Sequence, residues 1–152
     1  MGDPRLSVSL AELLESRFSS SPDKVIIRLD HGCLTYKQID EKSRLIAQNL
    51  FAAGVRRGDR VATMVHTTDQ AVAVWFACAR AGFVEVPLNV ELKDELLVDA
   101  VEGANCSIIV AGDDPVVAQQ LGALQERLPQ ISKIASLEKT PKVDERIDGP
   151  LS

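Results

Sequence analysis

The sequence is poor in cysteine and has no long apolar run, and each absence excludes a class of protein. Its three cysteines, Cys33, Cys78 and Cys106, show no CxxC spacing, so neither a disulfide framework nor a zinc site is indicated. We expect them to be small buried residues in a reducing compartment. The longest apolar run, residues 71–79, is far shorter than the roughly 20 residues of a membrane-spanning helix. With no signal-peptide core at the N-terminus, the sequence predicts a soluble, cytoplasmic chain without a membrane span.

Basic residues are also in the minority. The 152 residues include 17 lysines and arginines against 22 aspartates and glutamates, a net charge of −5. A sequence-independent grip on nucleic acid needs a basic surface, so we expect no nucleic-acid partner. The hydrophobic fraction of 45% is ordinary for a globular protein, and a chain of this length can bury a core.

Glycine-rich phosphate loops are missing as well. The patterns GxxxxGK[ST] and GxGxxG, which cradle phosphates between a strand and a helix, occur nowhere in the sequence. The stretch GVRRGDRVATMV, residues 54–65, has glycines and arginines, but it follows a predicted helix and precedes a predicted strand. We therefore interpret it as a turn in which Gly54 ends the helix and Arg56 and Arg57 face solvent.

What the sequence does contain is a regular alternation of helices and strands. Ser9 with Glu12, and Thr35 with Gln38, form capping boxes that predict the starts of two helices. Residues 25–36 predict a β-hairpin. Apolar periodicity and turn residues predict strands at 60–65, 83–88, 106–112 and 133–137 and helices at 69–81, 93–104 and 115–128. This order is typical of an α/β fold with a mostly parallel sheet, flanking helices and an N-terminal β-hairpin.

We expect the folded domain to comprise residues 1–137. Its strands are continuous runs of valine and isoleucine, as expected where both faces of a parallel sheet are covered. Residues 138–152 are polar, contain two prolines and show no periodicity. We interpret them as a flexible tail or a severed linker.

Few residues suggest chemistry. Ligands of open parallel sheets bind outside the carboxyl ends of the strands, and His66 and Thr67 follow strand 60–65 at that edge. They are our candidate ligand-proximal residues, although a loop residue and a helix-start residue are the simpler interpretations. No cysteine or carboxylate cluster at ligand spacing accompanies His31 or His66, and no GxSxG nucleophile motif occurs. From the residues alone we predict no catalytic, cofactor-binding or metal-binding residue.

Three further features have structural interpretations. The acidic residues between positions 91 and 99 predict a solvated helix face, because Asp and Glu are favourable near a helix start. Trp75 and Phe76 lie in the middle of a helix that is apolar on nearly all sides, and we expect both in the core. Thr67 with Gln70 repeats the capping-box pattern at the start of that helix.

Several motifs, in this order and spacing, resemble one family. They are LTY at 34–36, GVRRGDRVA at 54–62, AG at 81–82 and VPLN at 86–89. They resemble the N-terminal region of the adenylate-forming, AMP-binding enzymes: acyl-CoA synthetases, nonribosomal adenylation domains and luciferases. The family pattern runs L-T-Y-x-E-L, then G-V-x-x-G-D-x-V-A, then A-x-x-x-A-G-x-x-x-V-P-L-N. The resemblance spans about 9–137, almost the whole predicted domain.

The resemblance implies an ATP-dependent ligase. In the family, a carboxylate attacks the α-phosphate of Mg-ATP to give an acyl-adenylate and pyrophosphate. A thiol, often of CoA or of a carrier pantetheine, then takes the acyl group. The family's phosphate loop, T-S-G-T-T-G-x-P-K, and its lysine-bearing C-terminal domain lie downstream of the matching region. We therefore expect this chain alone to be catalytically incomplete and to hold no cofactor, whereas the intact family enzyme uses ATP, Mg and in many cases CoA.

Two segments depart from the family pattern. Residues 67–70 stand where Asn-Ser-Pro-Glu is frequent, and they retain the helix-capping chemistry. Val90 and Glu91 stand where Pro-Arg is frequent, and a glutamate there would repel a phosphate of CoA. The thiol acceptor, CoA or a carrier protein, therefore stays open.

Two other functions stay open beside a partial ligase. One is an interaction module that pairs with the remainder of a ligase, or with a second copy, through exposed apolar surface and an unpaired strand edge. The other is a nucleotide-binding α/β module, which the missing glycine loop disfavours.

Overall fold

Helices and strands alternate along the chain as the sequence predicts. The computed structural model describes residues 8–30, 32–66, 68–106, 108–128 and 133–137. The elements are α1 (Leu10–Ser20), β1 (Val25–Leu29), β2 (Gly32–Thr35), α2 (Tyr36–Ala52), β3 (Arg60–Met64), α3 (Thr68–Ala81), β4 (Val84–Pro87), α4 (Asp94–Ala104), β5 (Ile108–Ala111), α5 (Pro115–Arg127) and β6 (Lys133–Ser136). The predicted tail, 138–152, lies outside the described residues.

The strands form two sheets. β4, β3, β5 and β6 lie side by side in that order and are all parallel, with Met64 of β3 opposite Ala111 of β5. β1 and β2 pair antiparallel as a separate hairpin. The prediction of a mostly parallel sheet with flanking helices and an N-terminal hairpin is confirmed.

The two faces of the parallel sheet bury different helices. Because side chains alternate between the faces of a strand, Ala62 and Met64 of β3 pack against α4 and α5. Val61, on the opposite face, packs with α2 and α3. Both central strands are therefore covered on both sides, as their valine and isoleucine runs predict.

A third cluster joins the N-terminal elements to the rest. Leu14 and Phe18 of α1, Leu34 of the hairpin and Ile39 of α2 pack with Phe76 of α3. The rings of Phe18 and Phe76 meet edge to face with their centres 6.0 Å apart, a favourable aromatic geometry. α1 and the hairpin are thus anchored to the outer side of α2 and α3.

Both predicted capping boxes that fall on described residues are present. The Ser9 backbone N–H donates to Glu12 Oε2 at 2.8 Å, and that of Thr35 donates to Gln38 Oε1 at 2.8 Å. In return, each N-cap hydroxyl accepts from the backbone N–H three residues on. These reciprocal bonds satisfy donors that a helix start otherwise leaves unpaired. Thr67, of the third predicted box, lies outside the described residues.

The glycine- and arginine-rich stretch is a turn at the amino end of β3. Gly54 follows Ala53, the C-cap residue of α2, and has a φ of 100°, a conformation that glycine adopts without strain. Asp59 Oδ2 accepts from the Arg56 N–H at 2.7 Å, and Arg56 Nη1 donates to the Phe51 carbonyl. Arg56 and Arg57 are exposed, so the predicted turn is confirmed.

The prediction that Trp75 lies in the core is wrong. Trp75 is 46% exposed, whereas its neighbour Phe76 is buried as expected. The apolar face of α3 that meets the sheet and α2 therefore leaves Trp75 on the outside, and the helix is not enclosed on nearly all sides.

The expectation that both faces of every strand are covered is wrong for β4. This strand pairs only with β3 among the described residues, and Val84 is 45% exposed. An edge strand lacks the cover that the central strands have.

All three cysteines are buried and unbonded, as predicted. In the described part of the chain, no helix has both the length and the apolar character needed to cross a membrane.

Candidate functional site

The carboxyl edge of the parallel sheet is the place where this fold presents residues to a ligand. The strand ends are held together there by backbone hydrogen bonds. The Gly112 N–H donates to the Met64 carbonyl at 2.9 Å, and the Leu88 N–H donates to the Thr63 carbonyl at 2.8 Å. The segments that leave β3, β4 and β5 therefore start from one rigid edge.

His66 lies at this edge, two residues after the end of β3, and its side chain is exposed. The described residues provide no hydrogen-bond partner for its imidazole. Thr67, the second predicted residue, lies outside the described part of the chain. The position of His66 is that of a residue open to a ligand, and contact with a ligand remains a prediction.

Gln70 and Gly112 form a close contact that the sequence pattern did not indicate. Gln70 is buried in the first turn of α3. Its Oε1 atom lies 3.1 Å from the position that a Cβ atom on Gly112 would occupy. Since this distance is shorter than an ordinary van der Waals contact, any larger residue at 112 would displace the amide. Glycine at 112 thus leaves room for the Gln70 amide beside the end of β5.

Asp69 fixes the start of α3 to α2. Its carboxylate is buried, and Oδ2 lies 3.5 Å from Nζ of Lys42. A carboxylate in the first turn of a helix is also stabilised by the helix dipole. This arrangement agrees with the interpretation of Asp69 as helix-start chemistry.

Glu85 of β4 carries a half-buried carboxyl group, on the face of the parallel sheet that points away from α4. Glu85 Oε1 accepts from Thr63 Oγ1 at 3.0 Å. Burial raises the pKa of the Glu85 carboxyl, and the hydrogen bond from Thr63 offsets only part of this rise. In the sequence, Glu85 stands out as a charged residue inside the apolar run FVEVPL, residues 83–88. The sequence alone does not show that Thr63 contacts it.

Cys78 lies close to this carboxyl group and is not a nucleophile. Burial, and then the negative charge of Glu85, raise the pKa of the Cys78 thiol to about 12. The thiolate is the reactive form of cysteine, so Cys78 stays protonated and inert near neutral pH. Within the described ranges no group of three or more His, Cys, Asp or Glu side chains is placed to hold a metal ion.

The acidic segment before and within α4 is solvated, as predicted. Glu91, Asp94, Glu95 and Asp99 are all exposed. Glu91 is held by its backbone N–H, which donates to Asn89 Oδ1 at 2.9 Å. The Glu91 carboxylate is therefore displayed on the loop that follows β4.

A family model described as "AMP-binding enzyme" matches residues 14–150. Among curated proteins, the chain is 30% identical over 129 residues to malformin synthetase mlfA of Aspergillus brasiliensis, covering 85% of the chain and 2% of that protein. It is 27% identical over 138 residues to the medium-chain fatty-acid–CoA ligase of Escherichia coli, covering 86% of the chain and 24% of the ligase. The chain thus spans a quarter or less of the length of these relatives.

A solved structure shares the fold. It is that of a long-chain-fatty-acid CoA ligase assigned in Rhodopseudomonas palustris, which superposes with a TM-score of 0.76 at 21% identity. The superposition covers 90% of this chain and 34% of that one. At this identity the likeness concerns the fold alone. The α/β architecture that the resemblance implied is therefore confirmed by an independent comparison.

Proposed function

The chain belongs to the AMP-binding enzyme family, and from that membership we propose that its 152 residues are the N-terminal part of an ATP-dependent ligase that adenylates a carboxylic acid. The observation that carries the proposal is the family match over residues 14–150, in a chain that spans only 24% of the E. coli ligase. The ordered carboxyl edge of the sheet supports it, because this is the edge at which open α/β sheets receive ligands.

We propose further that these residues by themselves do not adenylate. The carboxyl edge offers the exposed imidazole of His66, the amide of Gln70 seated against Gly112, and the Asp69 carboxylate beside Lys42. This set does not fit a magnesium-bound triphosphate, which needs a row of backbone donors from a glycine-rich loop and oxygen ligands for the metal. We therefore derive no catalytic step through ATP or Mg for this chain.

For the acyl substrate, we propose fatty acids as the first class to test, in an acyl-CoA synthetase-like ligase. The support is the similarity to the E. coli relative, a medium-chain fatty-acid–CoA ligase. The acceptor is CoA or the pantetheine of a carrier protein. The exposed carboxylate of Glu91 would repel a CoA phosphate. Any assay of a longer ligase should therefore compare CoA with a carrier protein as the acceptor.

ATP–pyrophosphate exchange tests the proposal. The chain is incubated with Mg-ATP, labelled pyrophosphate and a panel of short-, medium- and long-chain, aromatic and amino acids. We expect no exchange above the rate without acid. Robust exchange with any acid would refute the claim that these residues are inactive alone, while supporting membership of an adenylating enzyme. A family ligase of full length serves as the positive control.

A second candidate function is a non-catalytic interaction module. It is favoured by the half-exposed ring of Trp75 and by β4, whose outer edge is unpaired within the described ranges. An unpaired strand edge and exposed apolar side chains both attract a partner. The partner would be the remainder of the ligase or a second copy of this chain.

Sedimentation velocity measures whether the chain self-associates, as an interaction module that pairs with a second copy would. Self-association is expected to weaken in Val84→Lys, because a lysine on an edge strand opposes edge-to-edge pairing. Val116→Lys is the matched control, since Val116 is also exposed but lies on α5. A monomer at all concentrations, with no binding of an apolar-surface dye, would argue against self-association and leave only the remainder of a ligase as partner.

We also propose residues 1–137 as the folded domain and the cytoplasm as its location. The last described strand, β6, ends at Ser136, which suits this boundary. Limited proteolysis should trim the chain after residue 137 and spare the rest. A protected tail, or early cleavage inside the sheet, would shift the boundary.

A further inference from the structure

A groove of about 280 Å³ lies between α4 and α5. Its apolar wall is formed by Val98 of α4 and Leu124 of α5, both buried, and Gln120 of α5 also lines it. Neither His66 nor Gln70 lines it. The groove is therefore separate from the carboxyl-edge residues discussed above.

Gln120 lacks the hydrogen bonds that its buried amide needs. Its Nε2 and Oε1 atoms are shielded from solvent and have no hydrogen-bond partner among the described residues. An unpaired buried donor or acceptor costs about 1–3 kcal/mol, and buried polar atoms in proteins are normally paired. Gln120 is one of the residues that line the groove, and the last torsion of a glutamine side chain is broad, so the amide can turn while the rest of the side chain stays in place. A ligand that accepts one hydrogen bond and donates another would satisfy both atoms.

The charges at the rim favour an uncharged ligand. Arg127 Nη2 lies 2.7 Å from Glu95 Oε1, so this cation is already neutralised. Among the described residues, the other charged groups that line the groove are Lys93 and Asp94, which are adjacent and of opposite sign. A carboxylate or an ammonium ion would therefore gain little net attraction from the rim.

We propose that the α4–α5 groove binds small neutral molecules that carry a carboxamide on an apolar body. The apolar body lies on Val98 and Leu124. The Gln120 Nε2 group donates to the ligand carbonyl, and Gln120 Oε1 accepts from the ligand N–H. This pairing is reciprocal and planar, and an amide provides both halves of it.

NMR titration of the ¹⁵N-labelled chain tests the proposal with two probes of the same shape. Butanamide carries a donor and an acceptor, whereas 2-pentanone replaces the NH₂ group with a methyl group and can only accept. We expect butanamide to cause saturable shifts of the Gln120 side-chain NH₂ signals. We expect 2-pentanone to bind about tenfold more weakly, because one hydrogen bond is lost.

Two variants complete the test. Gln120→Leu should lose the preference for butanamide over 2-pentanone, and Gln48→Leu, at an exposed position of α2 outside the groove, should keep it. Gln120→Met replaces Gln120→Leu if the leucine variant loses its dispersed spectrum. Equal binding of the two probes, a preference that survives at Gln120→Leu, or no saturable shift up to the solubility of butanamide would overturn the proposal.

Discussion

Arg80 Nη2 on α3 lies 2.6 Å from Asp40 Oδ1 on α2. The same nitrogen lies 2.5 Å from Glu15 Oε1 on α1, and the guanidinium carbon lies 5.3 Å from the centre of the Phe18 ring. Burial raises the pKa of the Asp40 carboxyl, but hydrogen bonds and charges from Arg44 and Arg80 outweigh this and hold the pKa below its usual value. One cation thus joins three helices.

Replacing Arg80 should destabilise the fold far more than replacing Arg44, the more exposed arginine that also pairs with Asp40. The Arg80 side chain is 10% exposed and that of Arg44 is 53% exposed, although both pair with Asp40. We expect Arg80→Met to lower the free energy of unfolding by about 3 kcal/mol, the low end for a buried pair that loses one partner, because Asp40 keeps Arg44. We expect Arg44→Met to lower it by about 0–1 kcal/mol. Urea denaturation, followed by circular dichroism, measures both. Equal losses would show that Arg80 is not the central cation of this contact.

Glu85 should make stability fall as pH rises. The raised pKa of the Glu85 carboxyl means that the folded state binds this proton more tightly than the unfolded chain does. The protonated carboxyl therefore stabilises the fold fully below the ordinary pKa of 4.5. That effect is lost as pH rises through the raised pKa. We therefore expect Glu85→Gln to be more stable than the wild type at neutral pH, with a difference that vanishes in acid.

The measurement is the free energy of unfolding of both proteins across the acid-to-neutral range. Glu102→Gln is the control, because Glu102 is exposed on α4. A Glu85→Gln difference that does not change with pH would show that the carboxyl titrates as it does in the unfolded chain.

Gly112 and Gly122 should respond with opposite sign to the same substitution. Gly112→Ala places a Cβ atom 3.1 Å from Gln70 Oε1, and such crowding costs about 1–3 kcal/mol. Gly122 is inside α5, with nothing within 4 Å of an added Cβ. Gly122→Ala should therefore raise the free energy of unfolding by about 0.5–1 kcal/mol, the usual gain in a helix. Thermal and urea unfolding check both, and stabilisation by Gly112→Ala would mean that Gln70 moves aside freely.

Gln120→Leu should stabilise the folded chain in the absence of any ligand. The leucine removes a donor and an acceptor that the described residues leave unpaired, and we expect a gain of about 1–3 kcal/mol. Gln119→Leu makes the same chemical change at an exposed position and should alter stability by at most about 0.5 kcal/mol. Urea denaturation compares the two. A loss of stability in Gln120→Leu would show that the amide has a partner in solution.

The elements of this fold were predictable because their signals are local. Ser9 with Glu12 and Thr35 with Gln38 set the first two helix starts, and Asp114 followed by Pro115 sets that of α5. Each depends on residues within three positions of one another. The valine and isoleucine runs then identify the central strands.

Contacts across the fold were not predictable in the same way. Trp75 belongs to the same apolar run as Phe76, and only the packing of α3 on its neighbours decides which ring is covered. Gln70 and Gly112 are 42 positions apart and meet because β3 and β5 are adjacent and in register. The sequence therefore placed His66 at the carboxyl edge of the sheet but could not show the buried amide of Gln70 against Gly112.

The burial of the three thiols makes the chain well suited to site-specific spectroscopic labelling. Cys33, Cys78 and Cys106 are all shielded, and burial also raises the pKa of the Cys106 thiol. A maleimide reagent reacts with an exposed thiolate, so a cysteine introduced on the outer face of α5 would take the dye while the native ones stay unmodified. The surroundings of that single dye can then be followed without replacing any of the three cysteines.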